Sequence, residues 1–242
     1  MSVRVAQPLQ LLLPGTLCDT RLLASMLKEW LAGGMPNDGA HALDLFELDE
    51  AEAWWQRQLP HLPDQMDLVG FSLGGVLALT LLRLAPQRVR RLALVAASAQ
   101  GATPANESRV AAQIAQWRAK GPAAVARQMA EQAVPAGGRT PELTQCLEAM
   151  AEATPEAAFL AQARLNTTRP DGFATLERWG GPLLLLCGER DPWCGPDIQN
   201  LTLARRPDAR YVCLPGAGHY LPLERPSEVA AALTQFFRTD TP

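Results

Sequence analysis

Paired cysteines are missing from this chain. Its 242 residues hold five cysteines, an odd number with no CxxC spacing, so a disulfide framework is not expected and a reducing cytoplasm fits best. Histidine is scarcer still. His41, His61 and His219 stand far apart, with no second histidine or cysteine at i+3 or i+4 from any of them, and we expect no metal site. No apolar stretch approaches the ~20 residues of a membrane span. The first apolar run is broken at Pro14 and Gly15, too soon for a secretory h-region. Basic excess is absent too: 22 Lys and Arg face 25 Asp and Glu, for a net charge of −3. That excludes a broad nucleic-acid footprint, and the cluster Arg88, Arg90, Arg91 reads as a solvated turn. Neither a nucleic-acid nor a membrane partner is expected.

What is present is an ordinary globular composition, 48% hydrophobic and 19% charged, long enough for one large core with a modest insertion. Short β-rich apolar runs alternate with helical patterns, which predicts an α/β fold with a mostly parallel twisted sheet flanked by helices. The strand candidates are LQLLL (Leu9–Leu13), HALDLF, DLVGF, RLALVAAS, PLLLLCGERD and ARYVCLPGAGH. An added edge strand is expected near Val3–Val5. Helical spacing marks Arg21–Ala32, EAEAWWQRQL, LGGVLALTLLRLA, DIQNLTLARR and RPSEVAAALTQFF. Residues 101–165 break the rhythm: Ala, Gln and Glu dominate, and turn signals divide them into several helices. We therefore expect a core of residues 1–100 and 166–242, interrupted by a helical insertion at 101–165.

The stretch MDLVGFSLGGVLALTLL reads as strand, tight turn, helix, with Ser72 in the turn between Gly70 and Gly74. A turn serine or helix cap is the plain reading of such a residue. A serine there also lifts its hydroxyl above the C-terminal rim of the sheet, where ligands bind in open α/β folds, at the positive end of the following helix. It needs a base to become a nucleophile. His219, in the loop after the last strand, is the best placed of the three histidines. An imidazole base in turn needs a carboxylate to orient it. Asp191, just past the fifth strand, is favoured over Glu189 because Gly188 lets the chain turn and Asp191 lies further into the loop.

Ser72, Asp191 and His219 thus follow three different strands, in that order along the chain. The whole pattern resembles the α/β-hydrolase superfamily over nearly its full length. Gly70-Phe71-Ser72-Leu73-Gly74-Gly75 resembles its nucleophile elbow, Gly188-Glu189-Arg190-Asp191 its acid loop, and GAGHYLPLERPSEVAAALTQFF its histidine loop and last helix. The insertion falls where that family carries its cap. The resemblance implies an oxyanion hole from the backbone N–H of Leu73 and of Thr16, with Leu17 as fallback for the second donor. Two departures stand out: Pro14 replaces a common histidine, and the Gly-rich loop after the second strand is missing.

The resemblance implies a serine hydrolase, without cofactor or metal, acting on a small-molecule carboxylic ester or thioester. Leu17, Trp117, Trp193 and Tyr220 are the pocket candidates, which suggests a small to medium, largely apolar acyl group. Cys18 and Cys194 also fall near the site, as buried thiols. One alternative is a lyase resembling those of the menaquinone pathway, with Arg164, Arg169 and Arg190 as anion ligands. A second is an esterase resembling the one that acts on pimeloyl-carrier protein, with Arg109, Arg118, Lys120 and Arg127 on the insertion. A third is a non-catalytic ligand sensor on the same fold.

Overall fold

The computed structural model describes residues 9–33 and 40–238; the expected edge strand near Val3–Val5 lies outside them. Six strands form one sheet: β1 (Leu9–Leu13), β2 (Ala40–Ala42), β3 (Met66–Phe71), β4 (Val89–Val95), β5 (Leu183–Gly188) and β6 (Arg210–Leu214). Their spatial order is β2-β1-β3-β4-β5-β6, and every neighbouring pair is parallel. Because all strands point the same way, all their C-terminal ends open onto one rim.

The inner strands are nearly continuous apolar runs because both sheet faces are covered. Side chains alternate between faces at period two. Leu12, Val69, Val95, Leu184 and Leu186 enter one core with Trp30 and Leu233. Leu11, Leu68, Leu94, Leu183 and Leu185 enter the other with Trp54 and Leu77. The first face is covered by α1 (Ala24–Ala32) and the C-terminal helix. The second is covered by α2 (Ala51–Gln58) and α3 (Leu73–Leu84), whose residues Leu73 to Leu82 are all buried. The indole N–H of Trp55 on α2 donates to the carbonyl of Leu77 at 2.8 Å, which ties these two helices together.

Between β4 and β5 run α4 (Pro104–Lys120), α5 (Pro122–Ala133), α6 (Pro141–Ala153) and α7 (Glu156–Thr168), then a short α8 (Phe173–Trp179). Thr103 caps α4 through a reciprocal capping box with Asn106, and Thr140 caps α6 by accepting from Leu143 N–H. The chain closes with α9 (Pro196–Leu203), α10 (Leu221–Glu224) and α11 (Pro226–Arg238). The strand read at HALDLF covers only Ala40–Ala42, and α8 escaped the sequence reading altogether. No helix among the described residues is long and apolar enough to cross a membrane.

Leu77 is fully buried at the centre of α3, so Leu77→Ala should lower unfolding stability by about 2–5 kcal/mol, measured as a shift in the denaturant midpoint at unchanged slope.

Candidate functional site

The turn after β3 is set by close backbone approaches. A Cβ on Gly74 would stand 2.1 Å from the Leu13 carbonyl oxygen, and one on Gly70 would stand 2.6 Å from Gly75 Cα. Only glycine at these two positions lets α3 start directly above β1. Ser72 itself takes φ 50° and ψ −114°, a conformation side-chain-bearing residues rarely adopt. Its backbone N–H donates to Val95 O at 3.0 Å. The strained turn thrusts the hydroxyl up from the rim.

Two other loops meet it there. His219 Nε2 lies 3.0 Å from Ser72 Oγ, and its Nδ1 lies 2.8 Å from Asp191 Oδ2. The other Asp191 oxygen accepts from the N–H groups of Trp193 at 2.8 Å and Cys194 at 3.0 Å. Burial pushes the Asp191 carboxyl up, but attraction to His219, its hydrogen bond and the two backbone N–H groups outweigh that and hold it below the usual carboxylate range. An ionised carboxylate only accepts, so Nδ1 carries the proton and Nε2 is left to accept from the serine hydroxyl. Glu189, the sequence rival, is exposed and accepts from Gly216 N–H at 2.8 Å. It takes no part in this relay.

The His219 loop is braced from two sides. Its backbone N–H donates to Ala133 O at the end of α5, at 2.9 Å. Glu224 accepts from Gly218 N–H at 2.8 Å and from Tyr220 N–H at 2.9 Å. The imidazole packs against Phe71, 5.3 Å away between ring centres, and makes a T-shaped contact with Trp193 at 4.8 Å.

The loop after β1 runs directly over the elbow: a Cβ on Gly15 would lie 3.2 Å from that of Ser72. Two residues of α7 hold this loop. Gln162 accepts from Leu17 N–H at 2.9 Å, and Asn166 donates to Thr16 Oγ1 at 3.0 Å. The sequence reading missed both, although their i, i+4 spacing puts them on one helix face. They brace the loop that follows Pro14. The N–H of Leu17 is thus engaged, whereas that of Leu73 is among those a helix leaves unpaired at its start.

The cavity over Ser72 measures about 40 Å³ and is bounded by Thr16, Leu73, Trp193 and His219 on the core side. Of the four aromatic and aliphatic pocket candidates only Trp193 lines it. Leu17 and Tyr220 are buried in the core, and Trp117 stacks on Phe159 at 4.5 Å. The expected apolar lining is corrected as well, because the facing helices contribute Asn106, Arg109, Gln113 and Asn166, with Met129 as their apolar member, and Arg169 joins them just beyond α7. Among the other cations weighed from sequence, Arg164 is exposed and pairs with Glu50 at 2.6 Å, Arg127 pairs with Glu148 at 2.7 Å, and Arg190 is exposed.

Asp191, Cys194 and His219 offer ligand atoms within 4.8 Å of one another. Two of the three already bond to each other, and burial pushes the Cys194 thiol far up, away from the thiolate a metal needs. The Cys18 thiol is pushed up in the same way, first by burial and then by Asp19.

Two substitutions test this geometry. Ser72→Gly and Ser72→Ala both delete the hydroxyl, but only glycine relieves the left-handed backbone; Ser72→Gly should be more stable than Ser72→Ala by about 1 kcal/mol in denaturant unfolding. Glu224→Ala strips the brace from two backbone N–H groups, and should cost about 1–3 kcal/mol of stability by the same measurement.

A family model described as the alpha/beta hydrolase family matches residues 12–232. The dihydrolipoyllysine-residue acetyltransferase component of the acetoin cleaving system of Pseudomonas putida is 31% identical over 223 residues, 86% of this chain and 56% of that protein. The sn-1-specific diacylglycerol lipase ABHD11 of Mus musculus is 30% identical over 185 residues, 70% of this chain and 58% of that protein. The chain therefore spans little more than half the length of these two relatives. A solved thermophilic esterase from Thermogutta terrifontis shares the fold, with a TM-score of 0.79 over 96% of this chain and 90% of that one at 22% identity. With the elbow, the parallel sheet and the matched span in agreement, the chain belongs to the alpha/beta hydrolase family.

Proposed function

We propose that this protein hydrolyses a carboxylic ester or thioester through an acyl-enzyme on Ser72. The observation that carries this reading is the continuous relay from Ser72 Oγ through His219 to an ionised Asp191, at 3.0 and 2.8 Å. Ser72 Oγ attacks the scissile carbonyl while His219 Nε2 takes its proton. Asp191 keeps the imidazole in the required tautomer and stabilises the imidazolium. The carbonyl oxygen, now negative, is met by the N–H groups of Thr16 and Leu73, each worth about 3–4 kcal/mol to the transition state. His219 then gives its proton to the departing alcohol or thiol. A water, deprotonated by the same imidazole, releases the acyl group as a carboxylate and restores the serine.

The four helices α4 to α7 act as a cap in this reading. The space beneath them admits no more than a few waters, so substrate enters when the cap shifts. Gln162 and Asn166 couple the cap to the loop carrying Thr16, and cap position and oxyanion-hole geometry change together. The polar lining turns the substrate away from the largely apolar acyl group that the sequence suggested. The same relay serves proton abstraction in a lyase, and Arg169 in the cavity favours that second reading to this extent; Arg164 and Arg190, its other two anion ligands, stay outside.

The reading is tested with 4-nitrophenyl esters of increasing acyl length and a fluorophosphonate probe. We expect labelling of the wild type, a loss of at least about 1,000-fold in kcat for Ser72→Ala, and a loss of about 100- to 10,000-fold for Asp191→Asn. Turnover that survives Ser72→Ala, or a wild type that neither labels nor turns over an ester, overturns it.

A further inference from the structure

The cavity wall opposite the sheet carries two arginines, Arg109 and Arg169, that form no ion pair among the described residues. Arg109 on α4 holds its guanidinium carbon 5.1 Å from the centre of the Trp193 ring, and that ring meets His219 at 4.8 Å. These two steps put Arg109 within about 10 Å of the imidazole. Among the described residues, no hydrogen bond or ion pair reaches Arg109; the Trp193 face is its one close partner.

Arg169, just beyond α7, is held differently. Its Nε donates to Gln100 O at 3.1 Å, Nη1 to Asn166 Oδ1 at 2.9 Å and Nη2 to Asn106 Oδ1 at 3.3 Å. Three neutral acceptors fix its orientation and leave one N–H on each terminal nitrogen uncommitted. Both arginines border the same cavity as Ser72 and His219, and no Asp or Glu lines that cavity. By contrast, Arg21, Arg57, Arg83, Arg127 and Arg206 each face a carboxylate at 2.5–2.9 Å.

Two cations partly withdrawn from water are costly unless a counter-charge arrives. Burial pushes both guanidinium pKa values down; Asp191 opposes this at Arg109, and at Arg169 the neighbouring Arg109 charge adds to it. Planar guanidinium groups match a carboxylate in a two-bond fork. Arg169 also borders an outer cleft of about 430 Å³ between α2 and α7, which Asp49, Glu50 and Glu52 line as well.

We propose that the substrate carries a carboxylate, which Arg109 and Arg169 hold while its ester or thioester carbonyl sits at Ser72. This rests on the hydrolase reading for the reaction and goes beyond it in naming the substrate class. The carboxylate belongs either to the acyl chain, as in a half-ester of a short dicarboxylic acid, or to the leaving alcohol. In both cases hydrolysis consumes one water and gives one new carboxylate, one proton and one alcohol, or a thiol where the substrate is a thioester.

The test pairs each acid with its neutral ester. On the acyl side, monomethyl succinate, glutarate and adipate are compared with their dimethyl esters. On the alcohol side, 4-acetoxybenzoate is compared with methyl 4-acetoxybenzoate. Rates are followed by proton release. We expect kcat/KM of the wild type to favour the acid at least tenfold in one arm, which also tells the two sources apart. Arg109→Met keeps an apolar stem over Trp193 and should cut that ratio at least tenfold, with Arg109→Lys restoring part of it and Arg169→Gln lowering it. Calorimetric titration of Ser72→Ala with the same pairs reads the preference without turnover.

A wild type that favours the neutral ester in both arms, or a ratio untouched by both Arg109→Met and Arg169→Gln, overturns the proposal. The two readings fail separately. Ser72 labelled and neutral esters turned over with no carboxylate preference removes the anion site and leaves the hydrolase. No labelling and no turnover, with the carboxylate preference intact in Ser72→Ala binding, removes the hydrolase and leaves the anion site.

Discussion

The close approach of the α3 N-terminus to the end of β1 is the constraint on which the site depends. Gly74 lies so near the Leu13 carbonyl that a single methyl group would collide with backbone, and the turn between β3 and α3 must fold back sharply to allow it. That turn forces Ser72 to a positive φ. The backbone strain, about 1–3 kcal/mol for such a residue, is borne by a buried helix and a fully parallel sheet that leave the turn no other path. A rim formed by six strand ends then collects the β1, β5 and β6 loops around the half-buried hydroxyl.

Electrostatics takes over where packing stops. Asp191 is removed from water yet stays ionised, because His219 and two backbone N–H groups replace its hydration. The loop bearing His219 is itself fixed by Glu224 from one side and by α5 from the other. The core therefore does not build the site alone. The α4–α7 layer contributes a carbonyl to the histidine loop, an amide acceptor to Leu17, an amide donor to Thr16 and the two cavity arginines.

Much of this architecture was legible in the sequence, for physical reasons that differ from element to element. The apolar runs at Leu9–Leu13 and Leu183–Gly188 announce themselves because strands buried on both faces admit little else. The order of Ser72, Asp191 and His219 after three strands implies one rim once the sheet is taken as parallel. Helix α8 was not legible, since seven residues make two turns and show no periodicity. The pocket was misread for a related reason. Leu17 and Tyr220 adjoin functional residues in sequence, but loops at a rim send neighbouring side chains in opposite directions, here into the core. Arg109 and Arg169 reach the cavity through the rotation of α4 and the end of α7, which local sequence does not specify.

The central claim is that an acyl group passes through the oxygen of Ser72. Rapid quenching of the wild type with a slowly deacylating ester, followed by peptide mass mapping, tests it most directly. The account predicts the acyl mass on the peptide that contains Ser72, and nowhere else. An acyl group found on Cys18 or Cys194, or turnover with no covalent species at any time, would contradict it.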